Sequence, residues 1–315
     1  MSWPRLRAAF ALFAILGLAG SAAAQFALPT VERDVPDWDS DLDLAARYQK
    51  GASIDAGGSF ETFQYEAAGW AAGPFSEAIQ VRLDASYTYT DYDFGPPAPG
   101  SCTGGTACFA NDPWQGINRL DIAPGASFVL TPSIRLRLSV PVRWNAESGA
   151  EESGLTAGFV AQIQWRPSHR FTAGLGVGVQ SELGADTELY PAVSLDWRLG
   201  PEFRIRTRGG PYQGGKLAAI WSPSDFFQGV LSAGYERQRF RLSRSGPEPD
   251  GIAEYTSIPL LVGLEFRFSS RFKVVAEGGM AVSGELRLED SQGQLIQKSD
   301  FDSAGLLRGY CSISF

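Results

Sequence analysis

Polar and apolar residues alternate one for one along most of this chain, in rows longer than an ordinary strand. Ile134, Leu136, Leu138, Val140, Val142 and Trp144 share one face, while Arg135, Arg137, Ser139, Arg143 and Asn145 share the other. Ile79, Val81, Leu83, Ala85, Tyr87 and Tyr89 oppose Gln80, Arg82, Asp84, Ser86, Thr88 and Thr90 in the same way. Ile258, Leu260, Val262, Leu264, Phe266 and Phe268 form an unbroken apolar row. A period of two is the strand period, because successive side chains leave opposite faces. Rows of ten or more residues exceed the usual strand length. They match a tilted bilayer crossing instead.

Turn-forming residues punctuate the rows. Ala72-Gly-Pro-Phe75, Thr131-Pro-Ser133, Arg166-Pro-Ser-His169, Gly200-Pro-Glu202, Ser222-Pro-Ser-Asp225 and Ser269-Ser-Arg271 read as short turns, since these residue types fix φ or bond their own backbone. Longer polar connections lie at 95–113, 147–153, 181–187, 209–215, 244–253 and 289–299. Short turns at one end and long loops at the other predict an all-β, transmembrane, up-and-down antiparallel β-barrel. With both termini on the short-turn side, six short turns give seven hairpins and 14 strands. The weakly patterned first hairpin (53–63 and 65–72) leaves 12 strands as the fallback. Aromatics such as Trp165, Phe171, Trp197, Phe203, Trp221, Phe226 and Phe272 gather near the short turns, where amphipathic rings suit a headgroup girdle.

The ends set the domains. Arg5 and Arg7, the apolar run Ala9 to Gly20 and the small residues Ala22 to Ala24 make 1–24 a cleavable signal peptide, too short in its apolar part to span. Residues 25–50 read as an acidic periplasmic segment and 51–315 as the barrel. Glu32, Asp34, Asp37, Asp39, Asp41 and Asp43 stand in that segment, as a solvated tail or as a partial plug folded into the lumen. Asp37 to Asp43 is a poor calcium loop, with Leu42 and Tyr48 where the glycine and the twelfth-position acid belong. Composition agrees with strands and turns: 36 Gly, 19 Pro and two Met. Loss of the leader removes two Arg and moves the net charge from −8 to −10, which argues against nucleic acid as a partner. Cys102 and Cys108, in a Gly/Pro-flanked loop, suggest a disulfide pinning that loop. Cys311 is left over as an apolar-face thiol.

The leader, the Pro/Ser turns and the closing Gly309-Tyr-Cys-Ser-Ile-Ser-Phe315 resemble those of Gram-negative outer-membrane barrel proteins, over nearly the whole mature chain. More narrowly, the chain resembles an uncharacterised family of medium-sized barrels known only as a domain of unknown function. That resemblance implies residence among outer-membrane lipids and assembly by the barrel-insertion machinery, with Tyr310, Ile313 and Phe315 as the assembly signal. It implies no catalytic residues.

If apolar rows face lipid, the opposite set lines the lumen. Its bases are Arg135, Arg137, Arg143, Arg198, Arg204, Arg206, Arg208, Arg267 and Lys273, with Arg82, Arg119, Arg239, Arg241, Arg287 and Arg308. Its acids are Asp84, Asp121, Asp196, Glu265, Glu277 and Glu285. Fifteen bases against six acids suggest a pore leaning to anions, with a basic constriction near the short turns. Catalysis is disfavoured: the single histidine, His169, falls in a short turn, and neither a Gly-x-Ser-x-Gly elbow nor a metal-ligand cluster occurs. No cofactor is expected. The sequence therefore favours a narrow passive channel for small solutes. The alternative is a structural or recognition barrel with a closed lumen, using loop 95–113 for contacts.

Overall fold

The computed structural model describes residues 38–96, 109, 112–150, 154–208 and 215–315. Strands β1 (Asp39–Ser53), β2 (Ser59–Ser76), β3 (Ile79–Gly95) and β4 (Ile117–Thr131) are long and continuous. β5 (Ile134–Ser139) and β6 (Val142–Glu147) are one stave interrupted at Pro141, which has no N–H to give a ladder. β7 (Leu155–Ser168), β8 (Phe171–Glu182) and β9 (Ala185–Arg198) follow, then two short strands, β10 (Phe203–Arg208) and β11 (Lys216–Trp221). β12 (Phe227–Gly234) continues as β13 (Glu236–Arg241), beside the long β14 (Ile252–Arg267) and β15 (Phe272–Glu289). β16 (Leu295–Phe301) continues as β17 (Ala304–Ser314). Counting each interrupted stave once leaves fourteen, and β17 pairs antiparallel with β1, Leu44 opposite Cys311, to close the ring.

The barrel is inside out relative to a protein in water. Leu175 is 70 % exposed and Leu307 64 %, whereas the carboxylate-bearing Glu265 is 1 % exposed. An apolar outer surface over a polar interior is stable only where hydrocarbon replaces water outside. At the short-turn end, Phe171 lies between Trp165 (5.9 Å) and Trp197 (6.0 Å), and Phe226 meets Phe268 at 5.9 Å. These edge-on and tilted contacts form part of the girdle.

Four of the six expected short turns sit where their residues put them, and a fifth is displaced to His169 and Arg170 because Arg166 to Ser168 lie in β7. The sixth, Ala72 to Phe75, lies inside β2, and the chain reverses at Glu77 and Ala78 instead. Gly73 serves close approach rather than a turn, since a Cβ there would lie 2.3 Å from the Trp38 ring. Pro74 borders a register shift, where a missing N–H costs no ladder bond. The expected long connection at 181–187 is a two-residue turn, Leu183 and Gly184, with Gly184 at φ +62°.

The barrel begins at Asp39, not at residue 51, so much of the supposed acidic tail is the first stave. Asp41 and Asp43 look into the lumen while Leu42 and Leu44 take the other face; lumen-facing acids in alternation imitate a solvated tail. Glu32, Asp34, Asp37, the leader, and both Cys102 and Cys108 lie outside the described residues. Cys311 is a free, half-buried thiol. The closing motif divides between faces. Ile313 and the 65 % exposed Phe315 point outward, but Tyr310 faces the lumen, 5.2 Å beneath the Arg308 guanidinium.

Candidate functional site: a roofed lumen

Above the lipid-facing rows, β13, the outer parts of β14 and β15, and β16 leave the cylinder. Four irregularities fall at one level. The β12–β13 stave breaks at Tyr235, and β14 shifts register between Ser257 and Pro259. Pairing along β15 skips Val282 and Ser283, and the β16–β17 stave breaks at Asp302 and Ser303. This line is a crease, and the four segments beyond it form a flap folded across the outer mouth. Arg241 of the flap bridges Ala146 of β6, and Asn145 Nδ2 donates to the Arg239 carbonyl at 2.7 Å, contacts between staves that are not neighbours in the ring.

The two faces of the flap differ. Phe240, Tyr255, Leu286 and Phe301 pack on Phe60, Tyr92, Phe94 and Trp114 of the opposite wall, forming a buried apolar roof. Phe60 meets Phe301 edge-on at 4.9 Å and Trp114 meets Phe240 at 5.6 Å. Aromatic pairs at such separations add to simple burial. Phe109 of the 95–113 connection joins this roof, 5.8 Å from Trp114. On the other face, Arg237 binds Glu182 (3.0 Å), Glu188 (2.7 Å) and Glu254 (3.0 Å). Arg239 holds Glu254 and Glu289 and donates to the Leu183 carbonyl at 2.9 Å. The charged face is thereby tied to the β8–β9 turn.

Glu236, the first residue above the crease, latches the flap to the wall. Arg47 of β1 reaches it at 2.6 Å and Lys216 of β11 at 3.0 Å, all three largely buried. Burial alone would raise this carboxyl, but the two cations overcome it and hold Glu236 down at about 2.

The bases singled out by sequence whose side chains are described occupy the lumen side of their strands, where some meet acids. Arg143 binds Asp121 at 2.6 Å, Arg267 binds Glu265 at 2.9 Å, and Arg204 forms a fork with Asp196. Arg206 lies in register opposite Asp196, and Arg208 opposite Lys216. Arg135, Arg137, Arg198 and Lys273 have no carboxylate within ion-pair distance among the described residues. The count of fifteen bases against six acids is incomplete on both sides: it omits the inward acids Asp41, Asp43, Glu66, Glu182, Glu188, Glu236, Glu254 and Glu289, and the inward bases Arg47, Lys216 and Arg237. Sequence also missed the roof. Its signal is on β3, where Tyr92 and Phe94 continue the luminal row of Arg82, Asp84 and Ser86 with aromatics.

Two cavities stand out among the described residues. One of about 790 Å³ lies between the charged face of the flap and β8–β11, lined by Glu182, Glu188, Tyr190, Lys216 and Arg237, and by the outward-row residues Val193 and Leu217. The other, about 660 Å³, fills the mid-lumen between β1–β5 and β9. They share Arg143, Val193 and Thr207 as walls.

No family model and no curated protein matches this chain. Among solved structures, it is similar to a FadL homologue from Pseudomonas aeruginosa, with 10 % identity over 88 % of this chain and 89 % of that one, at TM-score 0.45. An outer-membrane channel from Pseudomonas putida F1 shares 8 % identity over 92 % and 100 % of the two chains, at TM-score 0.44. The toluene transporter TodX of Pseudomonas putida shares 9 % over 90 % and 89 %, at TM-score 0.39. Nothing about solutes follows from likenesses of this size.

Proposed function

We propose that this chain is an outer-membrane passive channel for small polar solutes, closed at its outer mouth by the flap in the present conformation. The supporting observation is the 660 Å³ cavity below the roof, walled largely by polar and small side chains. A barrel that is only a scaffold fills its interior with side chains; this one leaves room. The leader-like residues 1–24 fit export with cleavage near Ala24, and the outward Ile313 and Phe315 on the last stave fit recognition by the insertion machinery. Arg135, Arg198 and Lys273, near the short turns and outside any salt bridge among the described residues, support a mild anion preference at the periplasmic end. The exposed His169 of the β7–β8 turn has no part in the lumen, in keeping with a role other than catalysis.

The apolar roof favours one other reading, a recognition barrel that never opens. Planar-bilayer recording separates the two, using wild type and a Glu236→Gln variant with its latch weakened. Conductance that rises in the variant supports the channel. Silence in both overturns it in favour of the closed barrel.

A further inference from the structure

The mid-lumen cavity is lined by three guanidinium groups, Arg82, Arg137 and Arg143, and by four carboxylates, Asp43, Glu66, Asp84 and Asp121. Most of these charges are already matched. Arg82 forms a fork with Asp84 at 2.6 and 2.8 Å and lies 4.3 Å over the Trp70 ring. Asp121 is held by Arg143 and Arg119, each at 2.6 Å, and Glu66 by Arg308 at 3.4 Å. One charge of each sign stands outside any salt bridge among the described residues: Arg137 on β5, which feels the Asp84 already forked to Arg82, and Asp43 on β1, which is hydrogen-bonded to Ser312. Lys273, in the row of Ser312 and Asp43 but one stave beyond Ser312, attracts that carboxylate only from beyond salt-bridge range.

A cation and an anion outside any salt bridge, on separate walls of one 660 Å³ space, set up a field across it. That field orients a solute carrying both charges, whereas an ion of either sign meets one attractive and one repulsive wall. A planar guanidinium is also the side chain best shaped to grip a carboxylate. We infer that this cavity binds dipolar solutes of zero net charge, with a carboxylate toward Arg137 and an ammonium toward Asp43. The inference rests on the proposed solvated lumen, and sharpens it from polar solutes in general to zwitterions at this level of the pore.

The test is binding, measured separately from transport. Protein in lipid nanodiscs is titrated by calorimetry with ω-amino acids from 4-aminobutyrate to 8-aminooctanoate, and with hexanoate and hexylammonium as single-charge controls. The best ω-amino acid should bind about tenfold tighter than either control, the scale of one charge-assisted contact. Arg137→Gln and Asp43→Asn should each remove that advantage, and Arg137→Lys should keep most of it, which guards against a general loss of folding. Equal binding of zwitterion and controls, no binding at all, or binding indifferent to both variants overturns the site. Liposome permeation with the same solutes is run alongside. Binding without permeation keeps the site and removes the channel; permeation indifferent to Arg137 and Asp43 keeps the channel and removes the site.

Discussion

Arg47 and Glu236 stand 189 residues apart and meet at 2.6 Å, joining the first stave to the base of the flap. The pair is largely buried, with side chains 13 % and 10 % exposed. Removing one partner of such a pair strands the other charge, at a cost of about 3–5 kcal/mol. Glu236→Gln leaves both Arg47 and Lys216 unmatched, so the latched state should lose most. Longer open dwell times than wild type are expected in single-channel recordings, with the fourteen-stave wall intact by heat-modifiable migration. Unchanged dwell times would mean that the roof, not the latch, keeps the mouth shut.

The same latch has a defined pH window. Glu236 ordinarily titrates near 4.5 and is held down at about 2 in the folded flap. A depressed carboxyl stabilises the state that depresses it above the ordinary value, and that contribution disappears as pH falls toward the folded value. Latching should therefore be indifferent to pH above about 4.5 and weaken between there and 2. Open probability recorded against external pH checks this. A rise centred near neutrality would point to another group.

Gly284 and Phe301 offer a structural test of the crease. A Cβ at position 284 would lie 1.8 Å from the Phe301 ring, so the ring occupies the space that only glycine leaves. Gly284→Ala should push the ring out of the roof and raise basal conductance. Phe301→Ala should also open the roof, since losing a buried Phe costs about 3–5 kcal/mol. Adding Phe301→Ala to Gly284→Ala should do little more than either alone, because both act on one contact. Fully additive effects on open probability would argue against that shared contact.

Much of the wall was legible because each bilayer-crossing row repeats one instruction for ten residues or more. Ile134 to Asn145 faces as its alternation says, and the strand count follows from the turns. Legibility ended where the surroundings change. Ile252, Ala253, Glu254 and Tyr255 are buried on both faces, so alternation carries no sidedness there; the start of β14 and most of β16 read as loop, and the rest of the flap read as ordinary wall. Asp41 and Asp43 read as tail, because acids facing a wet lumen follow the same composition as acids in free solution. Pairing is the other gap. A lone sequence gives Arg204 as a base, and only the folded side chains show that Asp196, diagonal to it across β9 and β10, neutralises it.

That pairing decides which bases should govern ion preference. Arg204 and Asp196 form a fork, so replacing both, Arg204→Gln with Asp196→Asn, removes no net charge from the pore. Arg135 and Arg198 have no such partner among the described residues, and Arg135→Gln with Arg198→Gln removes two positive charges. Rings of basic side chains favour anions, so the second double variant should shift the reversal potential in a potassium chloride gradient toward cations. The first should leave it near wild type. Equal shifts from the two would show that position along the lumen, rather than unpaired charge, sets the preference.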